Sequence, residues 1–289
     1  MLECVARARH FATMDFKKLL ALERARAKAA AAESTTDADD DDAFDAFTDT
    51  PTTPIADADA HRRRLGGVNG LSYARNFIGA KDAVALERAL LREPAAWWTA
   101  TSNGRRVMNV GGGSPSTLFM DGDETREPGY VSRLRALLVH RRVFTHAPNH
   151  VLVNEYVSDA GILAHSDGDV YADDVAIITL RGGALIEFWP ATGDTISEGR
   201  DDDHEHDGTR RVSPRPVVSV YLEPRSVLMY SGDAYRLRHG IRRNDSDVIT
   251  DACVNASDAG VRVGDVVKRN PAGRVSVVFV RKHRAPSTN

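Results

Sequence analysis

Residues 148–169 read PNHVLVNEYVSDAGILAHSDGD. The β-branched run 151–156 has the composition of a buried strand, 158–161 supplies a turn, and a second short apolar run, 162–164, leads into His165 and Asp167. Strand side chains alternate faces, so His165 and Asp167 point the same way, about 6–7 Å apart along the backbone. An imidazole and a carboxylate presented on one face are two of the three ligands that hold non-haem iron(II) in a facial triad.

Working outward, the third ligand has to come from a distant segment. His239, in SGDAYRLRHGI, is the candidate: it follows the strand-like runs 216–221 and 226–230, and Gly240 beside it permits close backbone approach. It lies 74 residues beyond His165, so only a sheet that folds back brings the two together. By itself a His-x-Asp pattern also describes a surface histidine beside a solvated aspartate. The surrounding strand series gives it weight: VLVNEY, VAIITL, ALIEFW, PVVSVYL, SVLMYS and RVSVVFV are β-branched and separated by Gly, Asp and Pro turns. That series predicts a sandwich or jelly roll, and the absence of long intervening helices argues against a parallel α/β sheet.

Composition sets the outer bounds. The chain has 289 residues, 42% hydrophobic and 27% charged, the balance of a globular protein. No apolar run reaches the ~18 residues that span a bilayer, so no membrane association is expected. The net charge of −3 hides an uneven distribution, with acidic residues crowded into two tracts. Cys4 and Cys253 are the two cysteines; no disulfide framework is expected, and a reducing compartment fits.

Residues 1–32 are rich in Ala, Arg and Leu and predict a basic amphipathic arm. It reads as a solvated helix, or else as a targeting presequence or an arm that binds a partner or nucleic acid. Residues 33–66, including DADDDDAFDAF, predict a disordered acidic linker, because such a stretch buries too little apolar surface to offset its ordering entropy. The folded domain is expected over 67–289, with lid and helices in 67–147 and the jelly roll in 148–284. Asp82 is read as the N-cap of a helix carrying Val84, Leu86, Leu90 and Leu91, ended by Pro94, and 130–144 as a second helix with a basic side of Arg133, Arg135, Arg141 and Arg142. Trp97 and Trp98 read as core packing. The tract of about 194–215, EGRDDDHEHDGTRR at its centre, predicts a disordered insert. Its His204 and His206 sit in a polar setting that fixes no coordination geometry, so they are set aside as catalytic ligands.

The runs PNHVLVNEY, HSDGD, LEPRSVLMYSGDAYRLRHGI and GRVSVVFV, in this order, resemble the AlkB family of Fe(II)/2-oxoglutarate dioxygenases, in particular the subfamily called AlkB homologue six; the likeness covers roughly 71–283. The resemblance implies a mainly β fold with flanking helices (α+β), a double-stranded β-helix or cupin-like jelly roll with an N-terminal helical and lid extension. It implies His165, Asp167 and His239 as metal and catalytic ligands, and Asn154, Tyr156, Arg274 and Ser276 as the 2-oxoglutarate site. Arg suits a buried carboxylate because it offers two parallel hydrogen bonds. Arg105, Arg106 and Asn109 match the subfamily's run before the barrel, where the family builds its substrate lid; of these Arg106 and Asn109, with Asp169, are the substrate-facing candidates. Asp169 also reads as a plain turn residue.

The chain departs from the family at two places. Val280 stands where a second Arg usually lies six residues after Arg274, and Arg281, one residue later, falls on the opposite face unless a bulge intervenes. Val110 stands where relatives often carry an aromatic.

The resemblance implies Fe(II), 2-oxoglutarate and O2, with 2-oxoglutarate converted to succinate and CO2 as a C–H bond is hydroxylated; on an N-methyl group the product would release formaldehyde. The substrate expected is an alkylated base in RNA or DNA, or a protein side chain. The alternative is a catalytically weak jelly-roll binding module for nucleic acid or protein, and a metal-free scaffold ranks last. A monomer in the nucleus or cytoplasm is expected, with an organellar presequence as the other reading of 1–32.

Overall fold

The computed structural model describes residues 64–111, 116–118, 128–144, 146–191 and 215–285. The basic arm, nearly all of the acidic linker, and the insert with His204 and His206 lie outside them, as does Cys4.

Three early strands, β1 (Leu71–Ala74), β2 (Trp98–Ala100) and β3 (Arg105–Val110), surround helix α1 (Ala80–Arg92), and α2 (Gly129–His140) follows. The remaining strands are β4 (His150–Tyr156), β5 (Ile162–His165), β6 (Tyr171–Arg181), β7 (Ala184–Trp189), β8 (Val218–Leu222) and β9 (Val227–Ser231). After the one-turn helix α3 (Gly232–Tyr235) come β10 (Arg238–Ile241), β11 (Ser246–Val248), β12 (Val266–Lys268) and β13 (Arg274–Lys282). A seven-stranded sheet in the order β1-β9-β6-β13-β4-β3-β2 faces a four-stranded sheet in the order β5-β10-β7-β8; β11 and β12 pair separately. These two facing antiparallel sheets form the expected double-stranded β-helix.

Alternation along the strands creates two cores. On β13, Val275, Val277 and Phe279 pack with Leu86 and Leu90 of α1 and Leu134 and Leu138 of α2. Val280, with Val175 and Ile177 of β6, packs instead between the sheets, against Ile186 and Phe188 of β7. The large sheet is thus apolar on both faces, covered by helices on one side and by the small sheet on the other. The even-numbered side chains of β13 therefore line the interior, and the odd-numbered ones face the helices.

Several local expectations shift. Gly79, not Asp82, caps α1, and no side chain bonds the cap; Asp82 lies buried in the first turn, where its charge suits the helix dipole. Val84 points outward, 57% exposed. The second helix ends at His140, with Arg142 in the left-handed region (φ 54°), and Val143 and Phe144 are buried beyond it. Arg141 is drawn off the solvated face: its guanidinium stacks 5.0 Å from the Phe77 ring and donates to the Phe77 carbonyl. Strands β1 to β3, which precede 148, belong to the large sheet itself. Trp97 and Trp98 pack against the helix-side core, and Cys253 is a buried free thiol.

Candidate metal centre and cosubstrate pocket

β5 and β10 are antiparallel neighbours, and His165 is the direct cross-strand partner of His239. Their close approach depends on Gly240: a Cβ there would lie 2.8 Å from the Ile162 carbonyl oxygen and 2.9 Å from the Ala164 nitrogen. β5 ends at His165, so Asp167 stands on the loop beyond it. Gly168, at φ +82°, turns that loop in a conformation that suits glycine. Ligand atoms of His165, Asp167 and His239 all lie within 4.8 Å of one another. His239 Nε2 is 3.8 Å from Asp167 Oδ1, and the two imidazole centroids are 4.5 Å apart.

The donor set fits a divalent metal. His165 Nδ1 lies 2.8 Å from the Leu163 carbonyl, which can only accept, so Nδ1 carries the N–H and Nε2 is the nitrogen left for a metal. Burial pushes His239 down to about 4, with the neighbouring His165 acting in the same direction and Asp167 against it, so the ring is neutral at physiological pH. One carboxyl group and two imidazoles on one side are what a facial triad requires.

Tyr230 of β9 completes this cluster. Its hydroxyl donates to Asp167 Oδ2 at 2.8 Å and lies 3.3 Å from His239 Nε2. Burial, then the Asp167 charge, raise its pKa well above the ordinary value, so the hydroxyl stays a donor. Tyr235 stacks on Tyr230 and donates to the Gly168 carbonyl at 2.9 Å, so two tyrosines hold the ligand loop.

Further along the interior face, Arg274, Tyr156 and Arg105 form one cross-strand row. Asn154 and Ser276 are partners in the next row. Arg274 is buried, and burial pulls its pKa down to about 10, still a cation at neutral pH. Its Nη2 donates to Thr179 Oγ1 at 3.1 Å, while Nε and Nη1 are buried without partners. Unpaired buried donors on a guanidinium are costly, and an anion placed here would satisfy them.

The substrate-facing candidates separate. Arg106 lies on the helix side of β3, buried, bonded to Glu155 at 2.5 Å and stacked 4.3 Å from Trp98, away from the pocket. Asn109 is exposed on the same strand face as Arg105, at the open edge, and Asp169 is exposed in the turn after the ligand loop. Val110 is buried in the helix-side core. Arg281 is exposed, whereas Val280 is buried. Sequence reasoning missed Tyr230 and the pocket-facing role of Arg105. Strand parity was the available signal for both, since Tyr230 aligns with the inward Leu228 and Arg105 with Tyr156.

Fold and site together define a jelly-roll protein with an inward His/Asp/His cluster and a buried, unpaired arginine. Within that class the chain is AlkB-like, and the resemblance to the homologue-six subfamily holds: it is 29% identical over 212 residues to the probable RNA/DNA demethylase ALKBH6 of Danio rerio, spanning 73% of this chain and 85% of that protein. No protein-family model matches the chain. Among solved structures it is similar to that of OsALKBH1, with TM-score 0.46 and 14% identity over 73% of this chain and 98% of that one. It is also similar to a Pseudomonas putida prolyl-4-hydroxylase, with TM-score 0.43 and 12% identity over 78% of this chain and 99% of that one.

Proposed function

We propose that this chain is an iron(II)- and 2-oxoglutarate-dependent dioxygenase that hydroxylates or demethylates an alkylated nucleic-acid base or a protein side chain. The observation that carries the reading is the pairing of two features inside one barrel: His165, Asp167 and His239 with ligand atoms within 4.8 Å, and Arg274 buried with two unpaired donors. The probable RNA/DNA demethylase similar to this chain favours a nucleic-acid substrate.

His165, Asp167 and His239 would hold the metal, and Arg274, Tyr156, Asn154 and Ser276 would hold 2-oxoglutarate. Once bound with O2, these cofactors supply the coupled decarboxylation and C–H hydroxylation. The chain's own residues do the positioning. His239 remains neutral and keeps its lone pair available. Tyr230 fixes the Asp167 carboxylate by donating to Oδ2. Arg274 supplies a buried positive charge on the interior face, and Phe188, in one apolar cluster with Val175, Val280 and Tyr230, packs its ring beside that of His239.

The test is anaerobic addition of Fe(II) and 2-oxoglutarate to the purified protein, followed by O2. A visible charge-transfer band and then succinate release are expected. His165→Ala, Asp167→Ala and His239→Ala should each lose metal binding. Val280, where the family usually carries an Arg, favours the alternative of a weakly catalytic binding module; a band without succinate would select that alternative.

A further inference from the structure

Arg105 lies on the same sheet face as Arg274, in one cross-strand row, and the reading proposed above gives it no task. The register pairs Arg105 with Tyr156 and Tyr156 with Arg274. Each guanidinium carbon lies 5.9 Å from the Tyr156 ring centroid, so the tyrosine stands between two cations. The other buried or half-buried arginines nearby are matched to carboxylates: Arg106 and Arg181 to Glu155, and Arg269 to Asp247. Among the described residues neither Arg105 nor Arg274 pairs with a carboxylate. Arg105 Nη1 donates to Asn154 Oδ1 at 3.0 Å and its Nε is buried without a partner; Arg274 donates to Thr179 alone.

The Arg105–Asn154 bond has a second effect. It engages the amide oxygen of Asn154 with a guanidinium N–H and so ties Arg105 to the row next to Tyr156. Arg105 and Arg274 thus each keep unpartnered buried N–H donors on the same sheet face, on the two strands that flank Tyr156. Val280, on the same face two rows from Ser276, contributes no charge. Positive charge is therefore concentrated at the Tyr156 end of the pocket rather than shared along β13.

We infer that Arg105 is a second guanidinium for the distal carboxylate of the 2-oxo acid cosubstrate, acting across Tyr156 from Arg274. The inference rests on the dioxygenase reading and extends it: the chain recognises its cosubstrate through two strands, β3 and β13, and selects dicarboxylic over monocarboxylic 2-oxo acids by paired arginines.

The experiment is anaerobic calorimetry on the full chain loaded with Mn(II), titrating 2-oxoglutarate and, by competition, 2-oxobutyrate, which lacks the distal carboxylate. Arg105→Met should weaken 2-oxoglutarate about tenfold or more, as expected for loss of one charge-assisted contact, and leave 2-oxobutyrate within about twofold. Arg105→Lys should recover part of the loss, and Arg274→Met should show the same selectivity with a larger effect. An equal loss for both acids in Arg105→Met would make Arg105 a structural residue and overturn the inference. So would unchanged 2-oxoglutarate binding in Arg105→Met beside a loss in Arg274→Met, which would leave the dioxygenase reading standing. Failure of the wild type to bind either acid would overturn that reading and the inference with it.

Discussion

The hydroxyl of Tyr230 donates a 2.8 Å hydrogen bond to Oδ2 of Asp167 and lies 3.3 Å from Nε2 of His239. The carboxylate stands on a loop that no strand pairing restrains, so this hydroxyl, together with Tyr235 on the Gly168 carbonyl, does what a β-ladder does for the two histidines. Groups that orient metal ligands through the atom not on the metal typically change affinity by 10–100-fold.

Tyr230→Phe removes the hydroxyl and keeps the ring that packs on Phe188 and Tyr235. The expected outcome is a loss of Mn(II) affinity of about tenfold, read by calorimetry, with a thermal melt close to that of the wild type. Unchanged affinity would reduce Tyr230 to a packing residue.

Arg106 belongs to stability rather than to substrate recognition. It is buried against Glu155, which also meets Arg181, itself paired with Glu87. Arg106→Ala should cost about 3 kcal/mol in urea unfolding, the low end for breaking a buried pair because Glu155 keeps Arg181. The 2-oxoglutarate Kd of the folded variant should not move; a large shift would return Arg106 to the site.

Arg281 and Asp169 are exposed. Arg281→Ala should leave 2-oxoglutarate affinity within about twofold of wild type, because one step along β13 turns its side chain away from Arg274. A loss as great as that of Arg274→Ala would show that the bulge between Val280 and Lys282 brings Arg281 into the pocket. Asp169→Ala should leave metal and 2-oxoglutarate binding intact, and reduce turnover only if the side chain meets substrate.

Glu223 gives a pH prediction far from the site. Burial pushes its carboxyl up from 4.5 to about 7, with the Asp258 charge adding to the rise and Arg225 opposing it, and Tyr73 hydrogen-bonds it. The fold favours the protonated form. Its stabilisation is therefore full below 4.5 and is lost as pH rises through about 7. Glu223→Gln should match the wild type at about pH 5 and melt about 2–4 °C higher at about pH 8, the equivalent of roughly 1 kcal/mol after solvent screening. Parallel melting curves across that range would refute the shift.

The jelly roll was legible because its evidence is local. Alternating, β-branched runs such as RVSVVFV and VLVNEY carry a period of two that only a pleated sheet satisfies; Asp167 meets His165 from the loop beyond β5 and not from the strand itself. The shared strand face of Asn154, Tyr156, Arg274 and Ser276 was legible for the same reason, whereas the meeting of His239 with His165 and Asp167 depends on β10 folding back beside β5. Short pieces were not: β2, β11 and β12 are three residues each, too few to establish a period. Nor could the cap of α1 be read, since Gly79 carries no side chain to announce it.

Tertiary structure decided what lies across from what. Arg105 and Arg106 are adjacent and chemically identical, and the sequence gives no reason to prefer either. The pleat sends Arg105 toward Tyr156 and the pocket, and Arg106 toward Glu155 and the helices. Tyr230 is one more residue in an apolar strand until β10 folds back and places His239 beside its hydroxyl. Sequence determines which face each side chain takes along its own strand, because that follows from backbone geometry alone. Which partners meet it there depends on strand order and register, and those are set only when the two sheets close on each other and the apolar rows interlock.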